Sequence, residues 1–166
     1  GLNKMHETLW IMRHGQAAPG RPDAERSLTD EGKCEASDMA DWLAQRLADE
    51  TLPTPRVLAS PYRRAQQTAA LMAERLDVPV GTLPIITPDD PVGPVLDWLI
   101  DAQEQSPGPL LLVSHMPLVG LLTAQLTDGP RALGLGFPTG AIARLESDVF
   151  AAGCARLIDL EAPGYR

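Results

Sequence analysis

Short apolar segments alternate with helix-like segments along most of the chain, and this alternation restricts the fold more than any other feature. Four segments have the length and composition of strands: "TLWIM" at 8–12, "TPRVLAS" at 54–60, "VPVGTLPII" at 78–86 and "LLLVS" at 110–114. Apolar residues recur at helical spacing in 27–50, 60–76, 93–105 and 116–126. Buried strands that alternate with helices form a mostly parallel sheet covered on both faces. The sequence therefore predicts an α/β fold, a three-layer α/β/α sandwich with a mostly parallel central sheet.

The ends of these elements carry more detailed predictions. Thr29 is a candidate N-cap of the first helix, and Ser60 is the candidate N-cap of the second, with Pro61 at its first helical position. Near the C-terminus, "TGAIARLES" at 139–147 and "CARLIDLEA" at 154–162 alternate apolar and polar residues. We expect these two segments to be strands of a hairpin or of a sheet edge.

Length and charge limit the class of protein. A chain of 166 residues is the usual size of one domain, which we place at 7–166, with 1–6 as a tail or cloning remnant. The net charge of −8 argues against binding to nucleic acid or to an anionic membrane. Because no apolar run could cross a bilayer and no secretory signal is recognisable, we predict a cytoplasmic protein. The histidines and cysteines show no metal-ligand spacing, so neither a metal nor another cofactor is predicted.

Basic residues follow three of the predicted strands directly. Arg13 and His14 come after the first strand, Arg63 and Arg64 lie in "SPYRRA" after the second, and His115 follows "LLLVS". In an open parallel α/β sheet, ligands bind outside the carboxyl ends of the strands, so these side chains are expected to converge. Helix N-termini follow two of the exits and add N–H donors that favour an anion. On an otherwise acidic chain, this combination predicts a site for a phosphoryl group.

Helical periodicity separates the two arginines of "SPYRRA". The apolar stripe of that helix contains Tyr62, Ala65 and Ala69, and at about 100° per residue Arg63 points nearly opposite to it. Arg64 lies nearer the flank of the stripe. Periodicity therefore places Arg64 nearer the buried side of the helix, and Arg63 is a solvated charge or a residue of the substrate-facing rim.

Three motifs in this order, "LWIMRHG", "SPYRRAQQTA" and "SHMPLV", resemble the signature of the histidine phosphatase superfamily, in its phosphoglycerate-mutase-like branch. "RSLTDEG" and "TPDDP" are most similar to the bacterial SixA-type phosphohistidine phosphatases. The resemblance extends over about residues 8–126 and implies a phosphoglycerate-mutase-like fold.

The resemblance also implies roles for individual residues. It makes His14 the nucleophile that becomes phosphorylated, while Arg13, Arg64 and His115 hold the phosphoryl oxygens. The chemistry agrees, because arginine forks stabilise charge on equatorial phosphoryl oxygens and an unprotonated imidazole is available near neutral pH. Gly15 is expected to let the backbone approach the phosphate closely.

The general acid is the least defined part of the predicted site. Relatives that cleave phosphate esters usually place an acidic residue after the third strand, where this chain offers Asp89 and Asp90. Asp90 is the candidate proton donor, and the alternative is that it caps a loop. A P–N bond to imidazole is labile and needs less help from an acid, which favours phosphohistidine as the substrate.

The resulting hypothesis is a metal-independent phosphatase that hydrolyses phosphohistidine on a protein, such as a phosphorelay or phosphotransfer protein, through phospho-His14. One alternative is a phosphomonoesterase of the same superfamily that acts on a small phosphorylated metabolite. A second is a phosphate-binding or phosphohistidine-recognition module without catalysis. The small chain leaves few residues for a lid domain, although loops 17–28 and 86–94 could fold over the site.

Overall fold

The computed structural model describes residues 7–164, which form a six-stranded mixed sheet with two helices on each face. The predicted tail at 1–6 lies outside the described residues. The strands are β1 Glu7–Arg13, β2 Arg56–Ala59, β3 Val80–Thr82, β4 Leu110–Ser114, β5 Ile142–Ser147 and β6 Arg156–Glu161. The helices are α1 Asp30–Asp49, α2 Arg63–Leu76, α3 Val92–Gln105 and α4 Leu118–Asp128, with a short 3₁₀ turn at Asp23–Glu25.

The sheet has the order β3-β2-β4-β1-β5-β6. Its first four strands are parallel, whereas β5 pairs antiparallel with both β1 and β6. The α/β fold and the mostly parallel sheet are thus confirmed, and the two C-terminal segments are the predicted strands at one edge. The three parallel strands β2, β4 and β1 are neighbours, so their carboxyl ends lie side by side.

Successive side chains of β1 point to opposite faces of the sheet and belong to two separate halves of the core. Leu9 and Ile11 pack into the half that contains α3 and α4, whereas Trp10 and Met12 pack into the half that contains α1 and α2. All four side chains are fully buried, as expected for a central strand of a sheet covered on both faces. The three-layer arrangement follows from this pattern. None of the helices described is long and apolar enough to span a membrane.

The two predicted helix starts differ in outcome. Thr29 caps α1 as predicted, because its hydroxyl accepts a hydrogen bond from the Gly32 N–H at 2.9 Å. The prediction for α2 was wrong: the helix begins at Arg63, its N-cap is Tyr62, and Pro61 lies before it. The Ser60 hydroxyl accepts from the Tyr62 N–H and contacts Nε2 of His115, and the residue lies outside the helix and its cap.

Candidate active site

Four of the predicted site residues meet at the carboxyl ends of β1, β2 and β4. His14 follows β1, and its backbone N–H donates to the Ser114 carbonyl oxygen at the end of β4 at 3.0 Å. Ser60 follows β2, and its N–H donates to the Val113 carbonyl oxygen, also at 3.0 Å. These links bring His14, His115 and the start of α2, with Arg64, to one place.

His14 is buried, with 8% of its surface exposed, and both of its ring nitrogens have neighbours. Nδ1 lies 2.6 Å from the carbonyl oxygen of Gly15, and Nε2 faces the Nε–H of Arg64 at 3.4 Å. Because a carbonyl only accepts, Nδ1 carries the proton, and Nε2 has a lone pair that accepts from the Nε–H of Arg64. Burial lowers the pKa of His14 to about 4, against the opposing effect of the Gly15 carbonyl and with help from the charge of Arg64. His14 is therefore unprotonated at Nε2 near neutral pH.

Arg64 is held by loop 17–28 and by an aromatic ring. Its Nη1 donates to the backbone oxygen of Asp23 at 2.7 Å, and its Nη2 donates to Oδ2 of the same residue at 3.1 Å. The guanidinium also lies over the ring of Tyr62, 5.1 Å from the ring centroid. Arg64 is buried and Arg63 is exposed, which confirms the orientation predicted from helical periodicity. The loop itself is closed by a bridge between Ala17 and Leu28.

Arg13 enters the site from the end of β1. Its Nη1 donates to the Phe137 carbonyl oxygen at 2.8 Å, while its buried Nε has no hydrogen-bond partner among the described residues. Burial lowers the pKa of Arg13, and the charge of Glu35 opposes that shift. The guanidinium remains a cation at neutral pH because its ordinary pKa is far above 7.

His115 is almost fully buried, with 1% of its surface exposed. Its Nε2 lies 2.8 Å from the hydroxyl oxygen of Ser60, and its ring centroid is 5.0 Å from that of His14 and 5.2 Å from that of Tyr62. Nδ1 is buried and has no partner within the described part of the chain. Burial lowers the pKa of His115 to about 3, with further contributions from His14 and Arg64. The ring is neutral at physiological pH.

Gly15 occupies a position where the chain has no room for a side chain. A Cβ there would lie 2.5 Å from the carbonyl oxygen of Gly32 in the first turn of α1. The N–H of Gly15 donates to Oγ1 of Thr68 at 3.1 Å, and its carbonyl meets His14. The structure thus gives this glycine a packing role, and its predicted contact with phosphate stays a prediction.

Asp90, the candidate general acid, is bound within its own loop. Its Oδ2 accepts hydrogen bonds from the N–H and from the hydroxyl of Thr87, each at 2.7 Å. Among the described contacts, none joins Asp90 to His14, Arg64 or His115. The observed bonds are those of a loop cap, the alternative that the sequence left open.

The structure adds residues that the sequence pattern did not identify. Ser60 contacts His115, and Asp23 contacts Arg64. The hydroxyl of Thr68 accepts from the Gly15 N–H and donates to the Arg64 carbonyl oxygen at 2.8 Å. Glu35 accepts from the Gln16 N–H at 2.7 Å and from the Thr139 hydroxyl at 2.8 Å. Residues 7–164 contain no group of three or more His, Cys, Asp or Glu side chains that could hold a metal ion.

Comparison with known proteins relates this geometry to a family. The model of the histidine phosphatase superfamily (branch 1) matches residues 9–87. Phosphohistidine phosphatase SixA of Escherichia coli (strain K12) is 37% identical over 143 residues, which cover 84% of this chain and 85% of that protein. A SixA homolog of Haemophilus influenzae is 35% identical over 124 residues, 71% of this chain and 76% of the relative.

Solved structures show the same similarity in three dimensions. The structure of the protein histidine phosphatase SixA complexed with tungstate superposes with a TM-score of 0.81 and 34% sequence identity. The match covers 94% of this chain and 97% of that one. Tungstate is a tetrahedral oxyanion, so the related structure was obtained with an anion of the shape of phosphate.

Proposed function

The chain belongs to the histidine phosphatase superfamily, and from this premise we propose that it hydrolyses phosphohistidine on a protein through a phospho-His14 intermediate. The observation that carries the proposal is which ring nitrogen of His14 carries the proton. Its Nδ1–H is fixed on the Gly15 carbonyl, which leaves the Nε2 lone pair facing the buried guanidinium of Arg64. The proposed nucleophilic atom, Nε2 of His14, therefore lies beside the cationic guanidinium of Arg64.

The first step is attack by Nε2 of His14 on the phosphorus atom of the substrate. A bond from Nε2 to phosphorus forms, the bond from phosphorus to the substrate imidazole breaks, and the electron pair of that bond stays on the departing nitrogen. In the second step, water attacks phospho-His14, and inorganic phosphate leaves while Nε2 recovers its lone pair. A covalent intermediate of this kind divides one difficult displacement into two easier ones.

Charge on the transferred phosphoryl group needs donors around its equatorial oxygens. Arg64 and Arg13 supply cationic N–H groups, and the Nε–H of Arg13 is buried without a partner. The Nδ1 atom of His115 is likewise buried and unpartnered beside His14. We assign these three residues to the phosphoryl oxygens: an anion there would satisfy the Nε–H of Arg13 and the Nδ1 of His115, which have no other partner among the described residues, and would lie against the charge of Arg64.

The leaving group decides between phosphohistidine and a phosphate ester. An ester oxygen leaves poorly without a proton, yet the carboxylate of Asp90 is engaged with Thr87. An imidazole that is protonated on its distal nitrogen leaves as a neutral molecule and needs no acid from the enzyme. This argument, together with the name of the SixA relatives, supports a phosphohistidine substrate. We further propose a phosphorelay or phosphotransfer protein as the substrate protein, in the cytoplasm.

The proposal is tested by comparing rates per active site on a phosphohistidine protein and on a panel of sugar and nucleotide phosphates. We expect fast release of phosphate from the first and slow release from the panel. The intermediate is trapped by rapid quenching in base, and mass spectrometry should place phosphate on His14. His14→Ala should abolish turnover, and Arg64→Ala should lower it by about 10²- to 10³-fold.

Arg63→Ala is the matched control for Arg64→Ala, because it removes an exposed arginine from the same turn of α2. Its rate should stay within about tenfold of the wild-type rate, below the range expected for loss of a transition-state donor. Faster turnover of esters than of phosphohistidine would identify a phosphomonoesterase instead. Binding of phosphohistidine without phosphate release would identify a recognition module.

A further inference from the structure

Ser60 is placed against His115 by the adjacent strands β2 and β4. The residue is fully buried, and its backbone N–H donates to the Val113 carbonyl oxygen, two positions before His115. The hydroxyl oxygen then lies 2.8 Å from Nε2 of His115 and accepts a hydrogen bond from the Tyr62 N–H at 3.2 Å. One hydroxyl thus connects the end of β2, the N-cap of α2 and the imidazole that follows β4.

The hydrogen-bonding capacity of a hydroxyl limits how this contact can be made. A serine hydroxyl has one proton to donate and two lone pairs to accept with. The Tyr62 N–H uses one lone pair. In one arrangement the hydroxyl donates to Nε2, so that His115 carries its own proton on Nδ1. In the other arrangement Nε2–H donates to the hydroxyl oxygen, and Nδ1 has a bare lone pair.

Counting unsatisfied groups separates the two arrangements. Among the described residues, Nε2 of His115 is the only observed hydrogen-bond partner to which the Ser60 hydroxyl could donate. If Nε2 were the donor, the hydroxyl proton and the Nδ1 lone pair would both be buried without partners. If the hydroxyl donates, a single group is unpaired, the Nδ1–H of His115. Buried polar groups are rarely left unsatisfied, so the arrangement in which the Ser60 hydroxyl donates to Nε2 is favoured.

We propose that Ser60 is a positioning residue that fixes His115 as the Nδ1–H tautomer, so that the neutral ring donates a hydrogen bond to the transferred phosphoryl group. The donation to phosphate rests on the proposed function, whereas the tautomer does not. The opposite tautomer would turn a lone pair toward an anion and repel it. With Ser60 in place, His115 serves as a third donor beside Arg13 and Arg64 and does not need to be protonated.

The burial of His115 makes the choice of tautomer important. Its lowered pKa, about 3, keeps the ring neutral at the pH at which the enzyme would work. A neutral imidazole has a single N–H, and the hydrogen bond made by one nitrogen determines which nitrogen carries it. Both His14 and His115 then carry their proton on Nδ1, but they turn different ring nitrogens toward the phosphoryl group. His14 turns its proton to Gly15 and presents a lone pair, whereas His115 turns its lone pair to Ser60 and presents a proton.

The tautomer can be measured without substrate, by long-range ¹H–¹⁵N correlation spectra of the ¹⁵N-labelled full chain at pH 7. The sequence contains three histidines, so His115 is assigned by the signals lost in His115→Gln. We expect a pyrrole-type Nδ1 and a pyridine-type Nε2 for His115 in the wild-type protein. A pyrrole-type Nε2 in that spectrum would overturn the proposal, with no variant needed.

Variants then test whether Ser60 is the cause. Ser60→Ala should convert His115 wholly or partly to the Nε2–H form. It should lower kcat/KM on a phosphohistidine peptide by about 10- to 100-fold, as the loss of a partner that orients a metal-bound histidine does. Ser60→Thr keeps the hydroxyl and should keep the Nδ1–H form. An unchanged His115 tautomer in Ser60→Ala would overturn the proposal.

Ser114→Ala is the matched control. Ser114 is a buried serine at the end of the neighbouring strand, but its hydroxyl donates to the Ile86 carbonyl oxygen at 2.7 Å and not to the histidine. The His115 spectrum should be unchanged in this variant. If the tautomer responds to Ser60 as expected while the protein shows no phosphohistidine turnover, the proposed function fails and the control of the tautomer by Ser60 stands.

Discussion

Arg64 and Asp23 are joined by two hydrogen bonds, from Nη2 to the carboxylate at 3.1 Å and from Nη1 to the backbone oxygen at 2.7 Å. The carboxylate also accepts from Nη1 of Arg26 at 2.9 Å, and chiefly this bond holds the pKa of Asp23 below its ordinary value. A negative charge therefore lies against the guanidinium that we assign to the phosphoryl group. It orients Arg64 and also competes electrostatically with a bound anion.

Removal of this charge should strengthen anion binding. Asp23→Asn keeps an oxygen that can accept from Arg64 but removes the negative charge. We expect inorganic phosphate to bind up to about fivefold more tightly, which corresponds to about 1 kcal/mol, the upper value for a charge pair with an exposed carboxylate. Calorimetric titration with phosphate measures the change. Glu25→Gln, which removes an exposed carboxylate from the same 3₁₀ turn, should have a smaller effect. Weaker binding in Asp23→Asn would show that orientation of Arg64 outweighs the charge.

The segments that contain Gly15 and Gly32 pack closely together, and a Cβ added at either glycine would clash with the backbone of the other segment. For Gly15 the obstacle is the Gly32 carbonyl oxygen at 2.5 Å, and for Gly32 it is the Gln16 carbonyl oxygen. We expect Gly15→Ala or Gly32→Ala to lower the free energy of unfolding by about 1–3 kcal/mol or more, because backbone must move. Urea denaturation measures the loss.

Gly93 is the control for these substitutions. It lies in the first turn of α3, and a Cβ there would meet nothing within 4 Å. Gly93→Ala should stabilise the protein by about 0.4–1 kcal/mol, since alanine restricts the unfolded chain. Equal effects at Gly15 and Gly93 would show that the contact with α1 does not constrain the loop after β1.

The sequence was sufficient to predict the alternating elements and the convergence of the strand ends, because both follow from short-range patterns. Arg64 could be separated from Arg63 since burial on a helix follows a period of 3.6 residues. Ser60 was assigned wrongly because Ser-Pro before a helix is a common capping pattern, and the same hydroxyl can equally contact a histidine that follows another strand. Which partner it takes depends on the adjacency of β2 and β4.

Asp23 and Glu35 show a different limit. Asp23 lies in a loop without periodicity, and Glu35 lies in the second turn of α1, where an acidic side chain usually faces solvent. Their partners are distant in sequence: Arg64 for Asp23, and Gln16 and Thr139 for Glu35. Such contacts depend on how loops close in three dimensions, and no local pattern in one sequence encodes them.

The pH dependence of activity should report the low pKa of His14. Burial places this pKa at about 4, so the imidazole that we propose as the nucleophile stays unprotonated from neutral pH down to about pH 5. We expect kcat/KM to be constant over that range and to fall about tenfold for each pH unit below 4. The rate on a phosphohistidine peptide, corrected for its spontaneous hydrolysis in acid, provides the profile. An acid limb with a midpoint near 6.5 would mean that His14 is solvated in the working enzyme.

The stability of the fold should also decrease in acid because of the buried histidines. In the unfolded chain a histidine binds a proton near pH 6.5, whereas folded His115 does so only near pH 3. The unfolded state therefore binds more protons between these values, and the free energy of unfolding falls as the pH is lowered from about 7 toward 3. Urea denaturation at pH 7, 6 and 5 measures the slope.

A His115→Gln variant isolates this effect. Carboxylates contribute equally to both proteins, so the difference between the two slopes belongs to the imidazole. The variant should lose less stability than the wild-type protein between pH 6.5 and pH 5. Parallel slopes would mean that the folded and unfolded states bind protons at this histidine with equal affinity.

Asp90 allows a last distinction, between a loop cap and a general acid. Its Oδ2 accepts both hydrogen bonds from Thr87, and the oxygen of an asparagine can still accept from that N–H. We expect Asp90→Asn to retain phosphohistidine turnover within about twofold, since the imidazole leaving group needs no acid. Asp90→Ala should lower the free energy of unfolding by about 1 kcal/mol, the typical contribution of a hydrogen bond.

Asp89→Asn is the matched control, because it neutralises the exposed neighbouring carboxylate, for which no bond to Thr87 is observed. If Asp90→Asn abolishes turnover of phosphohistidine and Asp89→Asn does not, Asp90 transfers a proton and must leave Thr87 to do so. If Asp90→Asn slows only the residual hydrolysis of phosphate esters, the acid matters for oxygen leaving groups alone. In that case a phosphohistidine phosphatase needs no proton from Asp90, because the P–N bond is labile. The Asp90 carboxylate can then stay hydrogen-bonded to Thr87 during turnover.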